Sequence, residues 1–332
     1  MSEKLIVVLG ATGNQGGSVV TTFLGDATWK VRGITRNKSS AKAQSLEARG
    51  VQVVEADMSR PIDLKAAFDG ASAIFAVSDF MGIYFDSALQ TTPGKDRNEC
   101  AAEQESEQLK NVIDQAARTP TLERFVLSSL SNVAKWSNGK YTHVYHFDGK
   151  ANAEAYGREQ HPELWSKTSI FQGGLYLDIY KTQKDRPSRT ADGKVQFLCP
   201  WNPDMKIPWL AAAEDTGPFV QALVHSDPGK SLLAYREWAT MPEVVAIFAR
   251  VTGLRCTVKV MPTEEWAAAF PADLAIEMIE FFKYWDEFGF EAQDDPPLGH
   301  PNKLQTIVHS RGIAEWIEKQ DWTTILDSVK AD

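Results

Sequence analysis

Short apolar runs alternate with amphipathic stretches over the first half of the chain. Leu5-Ile6-Val7-Val8-Leu9 is unbroken and rich in β-branched side chains, the pattern of a central parallel strand covered on both faces. It meets Gly10-Ala11-Thr12-Gly13-Asn14-Gln15-Gly16-Gly17, and a helix is predicted from about Asn14 to Gly25. The next strand is Lys30–Arg36, followed by an exposed helix over Ser39–Arg49 that Gly50 closes. Further strands are expected at Val51–Asp57, Ala73–Val77, Arg124–Ser129 and Thr168–Gly174, with helices over Ile62–Phe68 and Glu99–Arg118. The second of these carries Leu109, Val112, Ile113 and Ala116 on one face. Met81–Asn98 shows no period and is long for a connection, and a helix should run from about His143 to Gln160. Leu175–Tyr180 is read as continuing the strand before it, whose glycine pair marks a close backbone approach to a ligand.

Past about Arg186 the alternation fades. Helices are predicted over Glu214–Val224, Pro242–Thr252 (ended by Gly253) and Ala272–Tyr284, a strand over Arg255–Val260, and a loop over Asp294–Pro301. Trp201, Trp209, Trp238, Trp266, Phe281, Phe282, Trp285 and Trp316 concentrate aromatic rings here. Most should be ordinary core, while an aromatic-lined cleft between two lobes would suit a flat apolar ligand. The fold class is therefore α/β, a Rossmann-like doubly wound parallel sheet with a smaller α+β C-terminal lobe. The expected division is residues 1–185 and 186–332, with room for later segments to return to the first domain.

Composition narrows the function. Of 332 residues 43% are hydrophobic and 24% charged, and the net charge is −9. No basic cluster could track a phosphate backbone, so direct nucleic-acid binding is disfavoured. No stretch has the apolar length of a membrane span. Cys100, Cys199 and Cys256 are odd in number and widely spaced, without metal-site spacing. They suit a reducing compartment, which gives a cytoplasmic protein, with the nucleus as a second location.

The glycines carry the first chemistry. Gly10 permits the turn off the strand, Gly13 lets backbone approach a pyrophosphate, and Gly16 lets the helix pack on the sheet. The helix directs its N–H groups and positive dipole end at the phosphates. The cradle comprises Gly10, Thr12, Gly13, Asn14, Gln15 and Gly16, spaced G-x-x-G-x-x-G. In such folds an acid at the tip of the second strand binds the ribose 2′-hydroxyl of NAD, and an Arg accommodates the 2′-phosphate of NADP. This strand ends in Thr35-Arg36, with Lys38 close behind, so the reading is NADP(H). Asp57 would face the adenine or cap the turn before Pro61. Val77 and Ser78, at a strand's carboxyl end, should lie beside the cofactor, and Ser128, Ser129 and Ser131 sit at the equivalent end of the next strand.

Several stretches together resemble the NmrA-like family of atypical short-chain dehydrogenase/reductases, in a fungal form. They are Gly10–Gly16, Thr35-Arg36-Asn37, Ser128–Val133, His146-Phe147-Asp148-Gly149-Lys150, Glu214–Gly217, Val251–Gly253 and the aromatic helix near Tyr284–Phe290. The resemblance spans nearly the whole chain. It implies NADP(H) binding and two kinds of member. Some reduce small apolar, aromatic or quinone-like compounds, and others bind the dinucleotide without turnover and report redox state to a regulatory protein. The departure is at position 146. Orthodox relatives carry Tyr-x-x-x-Lys, where the Lys holds the nicotinamide ribose and the Tyr exchanges a proton. Here Lys150 is preceded by His146, and Tyr145 lies about 100° round the helix. His146, Tyr145 and Ser129 are the candidate proton donors, and His146 has the alternative role of a packing residue that positions Lys150.

Overall fold

The computed structural model describes residues 3–182, 187–291, 298–306, 308 and 311–327. Half of the expected loop at 294–301, residues 294–297, lies outside them. Contacts divide the chain into two compact units: residues 1–173, 213–234 and 291–308, and residues 174–212, 235–290 and 309–332.

The first unit is built on β1 (Lys4–Val8), β2 (Trp29–Thr35), β3 (Gln52–Glu55), β4 (Ala73–Ala76), β5 (Arg124–Ser129) and β6 (Thr168–Gly173). With Ser231–Ala234 they form a seven-stranded sheet in the order Ser231–Ala234, β6, β5, β4, β1, β2, β3. Every pairing is parallel. The order reverses between β4 and β1, so the carboxyl ends of those two strands flank the crevice where open α/β sheets bind ligands.

The helices of this unit are α1 (Asn14–Leu24), α2 (Ala41–Ala48), α3 (Pro61–Ala67), α4 (Phe80–Tyr84), α5 (Arg97–Ala117), α6 (Val133–Trp136), α7 (Tyr145–Gln160) and α8 (Pro162–Trp165), joined later by Ala212–His225. The stripe Leu109, Val112, Ile113 and Ala116 of α5 packs with Val7, Leu9, Ile74 and Leu127 of the strands in one buried cluster. The stretch without period opens with the short helix α4, whose start is capped by Asp79 accepting the Gly82 N–H at 2.9 Å. None of the described helices is long and apolar enough to cross a membrane.

The second unit holds two small three-stranded sheets. Leu175–Tyr176 does not continue β6, contrary to expectation. It pairs with Ile207–Leu210 in another sheet, and Ile179–Thr182 is a helical turn. The glycine break serves that change of sheet. A Cβ on Gly174 would fall 2.1 Å from the Pro208 carbonyl oxygen, so this glycine is required by the close approach of neighbouring backbone. Trp209, Trp285, Trp316, Tyr284 and Phe197 are fully buried, the core role expected for most of the aromatics.

Candidate functional site

The crevice begins where β1 ends. Gly10 adopts φ +62° and is exposed, a conformation that glycine enters without steric cost. Its carbonyl accepts the Gly13 N–H at 2.9 Å, and the Ala11 N–H donates to Ile34 of β2 at 3.3 Å, which fixes the loop to the sheet. Gly13 is the N-cap of α1, and no side chain caps that helix end. Gly13 and Asn14 are exposed, and Thr12 and Gln15 are half-buried. A Cβ on Gly16 would lie 2.2 Å from the Gly10 carbonyl oxygen, so only glycine lets α1 start so close to the turn. The result is a bare helix N-terminus in front of a side-chain-free turn, which suits a diphosphate.

On β2's side, Arg36 is exposed one residue past the strand's end and makes no hydrogen bond or ion pair among the described residues. Lys38 pairs with Glu47 at 3.2 Å, and its N–H donates to Glu55 at 3.0 Å. Asp57 accepts the Ser59 N–H at 2.8 Å, so one of its oxygens caps the turn.

On β4's side, Val77 lies against Gly10, its Cγ1 2.9 Å from where a Cβ would stand. The Ser78 and Ser129 hydroxyl oxygens are both buried without a hydrogen-bond partner. The register pairs Ala76 with Leu127 and Ser129 with Gln172. Ser78 lies two residues past the end of β4 and Ser129 is the last residue of β5, the neighbouring strand, so both unsatisfied hydroxyls belong to the carboxyl edge of the sheet. Buried polar atoms without partners are rare and point to a group that completes them.

The N-terminus of α7 is tied to these strand ends by its own motif. The His146 ring lies 5.9 Å from that of Phe80, just past β4, and 4.8 Å from that of Phe147. Asp148 is buried and accepts the N–H groups of Val133 at 2.7 Å and Ala134 at 3.3 Å, capping α6 after β5. Gly149 faces α5, where a Cβ would sit 3.2 Å from the Ala102 carbonyl oxygen. Lys150 donates to its own helix at the His146 carbonyl, 3.1 Å, and to Glu105 Oε1 of α5 at 2.6 Å. Tyr145 faces a different way. It lines a groove of about 520 Å³ with Glu99, Ser106 and Lys110 of α5 and with Asn152.

Glu105 escaped the sequence reading. Its signal was present: it lies four residues before Leu109 and seven before Val112, a carboxylate on the apolar stripe of an amphipathic helix. No group of three or more His, Cys, Asp or Glu that could hold a metal occurs among the described residues.

The bare turn, the exposed Arg36 and the two unsatisfied hydroxyls, all in one unit, fit a dinucleotide with an added phosphate. Comparison with known proteins bears on the same region. The model of the NmrA-like family matches residues 2–323. An NmrA-like family domain-containing oxidoreductase, cpsB of Aspergillus campestris, is 29% identical over 265 residues, 76% of this chain and 74% of that protein. Among solved structures, the negative transcriptional regulator NmrA in complex with NAD superposes with a TM-score of 0.74 at 18% identity, covering 100% of this chain and 99% of that one. The triphenylmethane reductase of Citrobacter sp., complexed with NADP(H), gives 0.65 at 17% identity, covering 95% and 99%. At these identities the structural likeness is one of fold.

Proposed function

The chain belongs to the NmrA-like family, and from that premise we propose that it is an NADP(H)-dependent oxidoreductase that reduces a small, apolar, aromatic molecule. The observation that carries the reading is the bare Gly10–Gly16 turn at the strand-order reversal, with Lys150 held on α7, whose first turn packs His146 against Phe80 just past β4. The relatives named as oxidoreductases and the reductase neighbour of the same fold support it. The neighbours carry NAD in one case and NADP(H) in the other, so the preference for NADP(H) rests on Arg36, whose guanidinium can bond a phosphate in bidentate fashion.

Bound NADPH supplies a hydride from its nicotinamide ring. The protein's part is orientation and one proton. Backbone N–H groups of the first α1 turn would bind the diphosphate, Arg36 with Lys38 the 2′-phosphate, and Val77 and Ser78 the dinucleotide's flank. Lys150 would hold the nicotinamide ribose. His146 is the donor this reading favours, because an imidazole ring nitrogen can donate a hydrogen bond and pass on its proton and its ring lies against Phe80 at the β4 end. Ser129 and Tyr145 are the other candidates.

The test follows NADPH oxidation at 340 nm against quinones, aromatic ketones and imines. Turnover that Lys150→Ala abolishes is expected. Arg36→Glu should weaken NADPH binding at least about tenfold, the worth of a charge-assisted contact, while leaving NADH binding nearly unchanged in calorimetry. Tight NADPH binding with no turnover on any acceptor, together with capture of a regulatory protein, would replace the enzyme reading with that of a redox sensor.

A further inference from the structure

Glu105, the acidic half of the buried ion pair between α5 and α7, has no place in the chemistry so far. Glu105 is 0% exposed, yet it carries a carboxylate into the packed face of a helix. Isolated burial of a carboxylate is costly, and a buried pair seldom stabilises a fold more than apolar residues of the same volume would. The pair is therefore weak as a device for stability, and its geometry suggests another use.

Lys150 has three N–H donors. One goes to Glu105 Oε1 at 2.6 Å and one to the His146 carbonyl at 3.1 Å, which leaves a third without a partner among the described residues. Two fixed bonds define where the third N–H points. A lysine at a surface would instead sample many rotamers, each diluting the productive one. Gly149 belongs to the same arrangement. A side chain there would press on the Ala102 carbonyl at 3.2 Å and on Glu105 Oε2 at 3.3 Å, forcing α7 from α5 and Lys150 from its clasp. The Lys150 side chain is 11% exposed, so the clasp leaves an opening to a ligand.

We propose that Glu105 is a positioning residue, clasping Lys150 so that its remaining N–H is aimed at the nicotinamide ribose. This rests on the dinucleotide reading above. Glu105 itself need not touch ligand. Its effect passes through Lys150, and a double-mutant cycle reads that directly. NADPH affinity would be measured by calorimetry on wild type, Glu105→Gln, Lys150→Met and the double variant, with thermal unfolding of the unliganded proteins alongside.

Glu105→Gln should raise the NADPH dissociation constant about tenfold and raise KM for NADPH more than it lowers kcat. In the Lys150→Met background the same change should leave the affinity unaltered, and the double variant should be more stable than Glu105→Gln alone because no charge remains buried and unpaired. If Glu105→Gln does not fold, Glu105→Asp takes its place in the cycle: a raised dissociation constant that vanishes in the Lys150→Met background supports the clasp. Wild-type affinity in a folded Glu105→Gln, or a loss that persists undiminished without Lys150, overturns it and assigns Glu105 to packing alone. A wild-type protein that binds no NADPH would sink the dinucleotide reading as well, and is thereby told apart from failure of the clasp.

Discussion

At the scale of single residues, the site is decided by atoms that are missing as much as by those present. Replacing Gly16 with Ala would put a methyl group 2.2 Å from the Gly10 carbonyl oxygen. Since that oxygen is backbone, α1 must shift, so Gly16→Ala should lower unfolding free energy by about 1–3 kcal/mol and abolish NADPH binding in calorimetry. The glycine spacing was legible because the turn at Gly10 and the close start of α1 each require a residue without a side chain. Glu105 was passed over although its place on the apolar stripe was readable, because a glutamate in a polar-rich helix looks solvated until a partner from 45 residues later is seen to reach it. A different residue allows a pH test. Burial pushes the Cys199 thiol up to about 11, while an unfolded cysteine ionises near 8.5. The folded state thus holds its proton where the unfolded state has lost it. Stability is full below about pH 8.5 and is lost as pH rises through about 11. Chemical denaturation between pH 7.5 and 10.5 should show this decline, with a shallower slope in Cys199→Ala. Native Cys199 should also resist iodoacetamide at pH 8.

At the scale of elements, legibility followed length and local signals. The helix Met241–Thr252 shows the benefit of both. Thr240 and Glu243 form a reciprocal capping box, and Gly253 ends it at φ +71°, so its limits were readable to within a residue or so. Strands of two residues, such as Leu175–Tyr176 and Ser188–Arg189, carry too little period to register. The four-residue α6 escaped for the same reason. It is held from outside, by Asp148 accepting two of its first N–H groups. That gives Asp148, the one acid of the His-Phe-Asp-Gly-Lys stretch, an architectural task. Asp148→Ala leaves buried donors unmet and should cost about 1–3 kcal/mol in urea unfolding. Asp148→Asn, which keeps an acceptor oxygen, should cost less. If both are silent, α6 does not depend on this cap.

At the scale of the whole molecule, the sheet explains why the first half of the chain advertised its fold and yet is not the whole of it. The βα alternation from β1 to β6 is continuous in sequence, and each strand but one finds its neighbours within that stretch. β6 is the exception. One edge pairs with β5, and the other pairs in parallel with Ser231–Ala234 through Ile170, Phe171, Gln172 and Gly173. All six of its residues are buried. The helix Ala212–His225 adds Phe219, Val220 and Leu223 to the same unit's core, and its Gly217 N–H donates to the Ser18 hydroxyl of α1 at 2.9 Å. No local pattern reports such a return, because pairing between residues 60 apart is set by what each edge leaves unsatisfied rather than by either segment alone. Ending the chain at residue 185 would therefore strip β6 of its outer partner and uncover α1 along Ser18, Thr22 and Phe23. An unpaired, buried-type edge strand is a template for association. The truncated chain should elute from size-exclusion chromatography as oligomers or aggregates and should bind NADPH weakly or not at all, although every residue proposed to touch the dinucleotide is still present. A monomeric truncated protein with full-length affinity would mean that the first 185 residues close their own sheet, and that the later segments are attached to the cofactor domain without completing it.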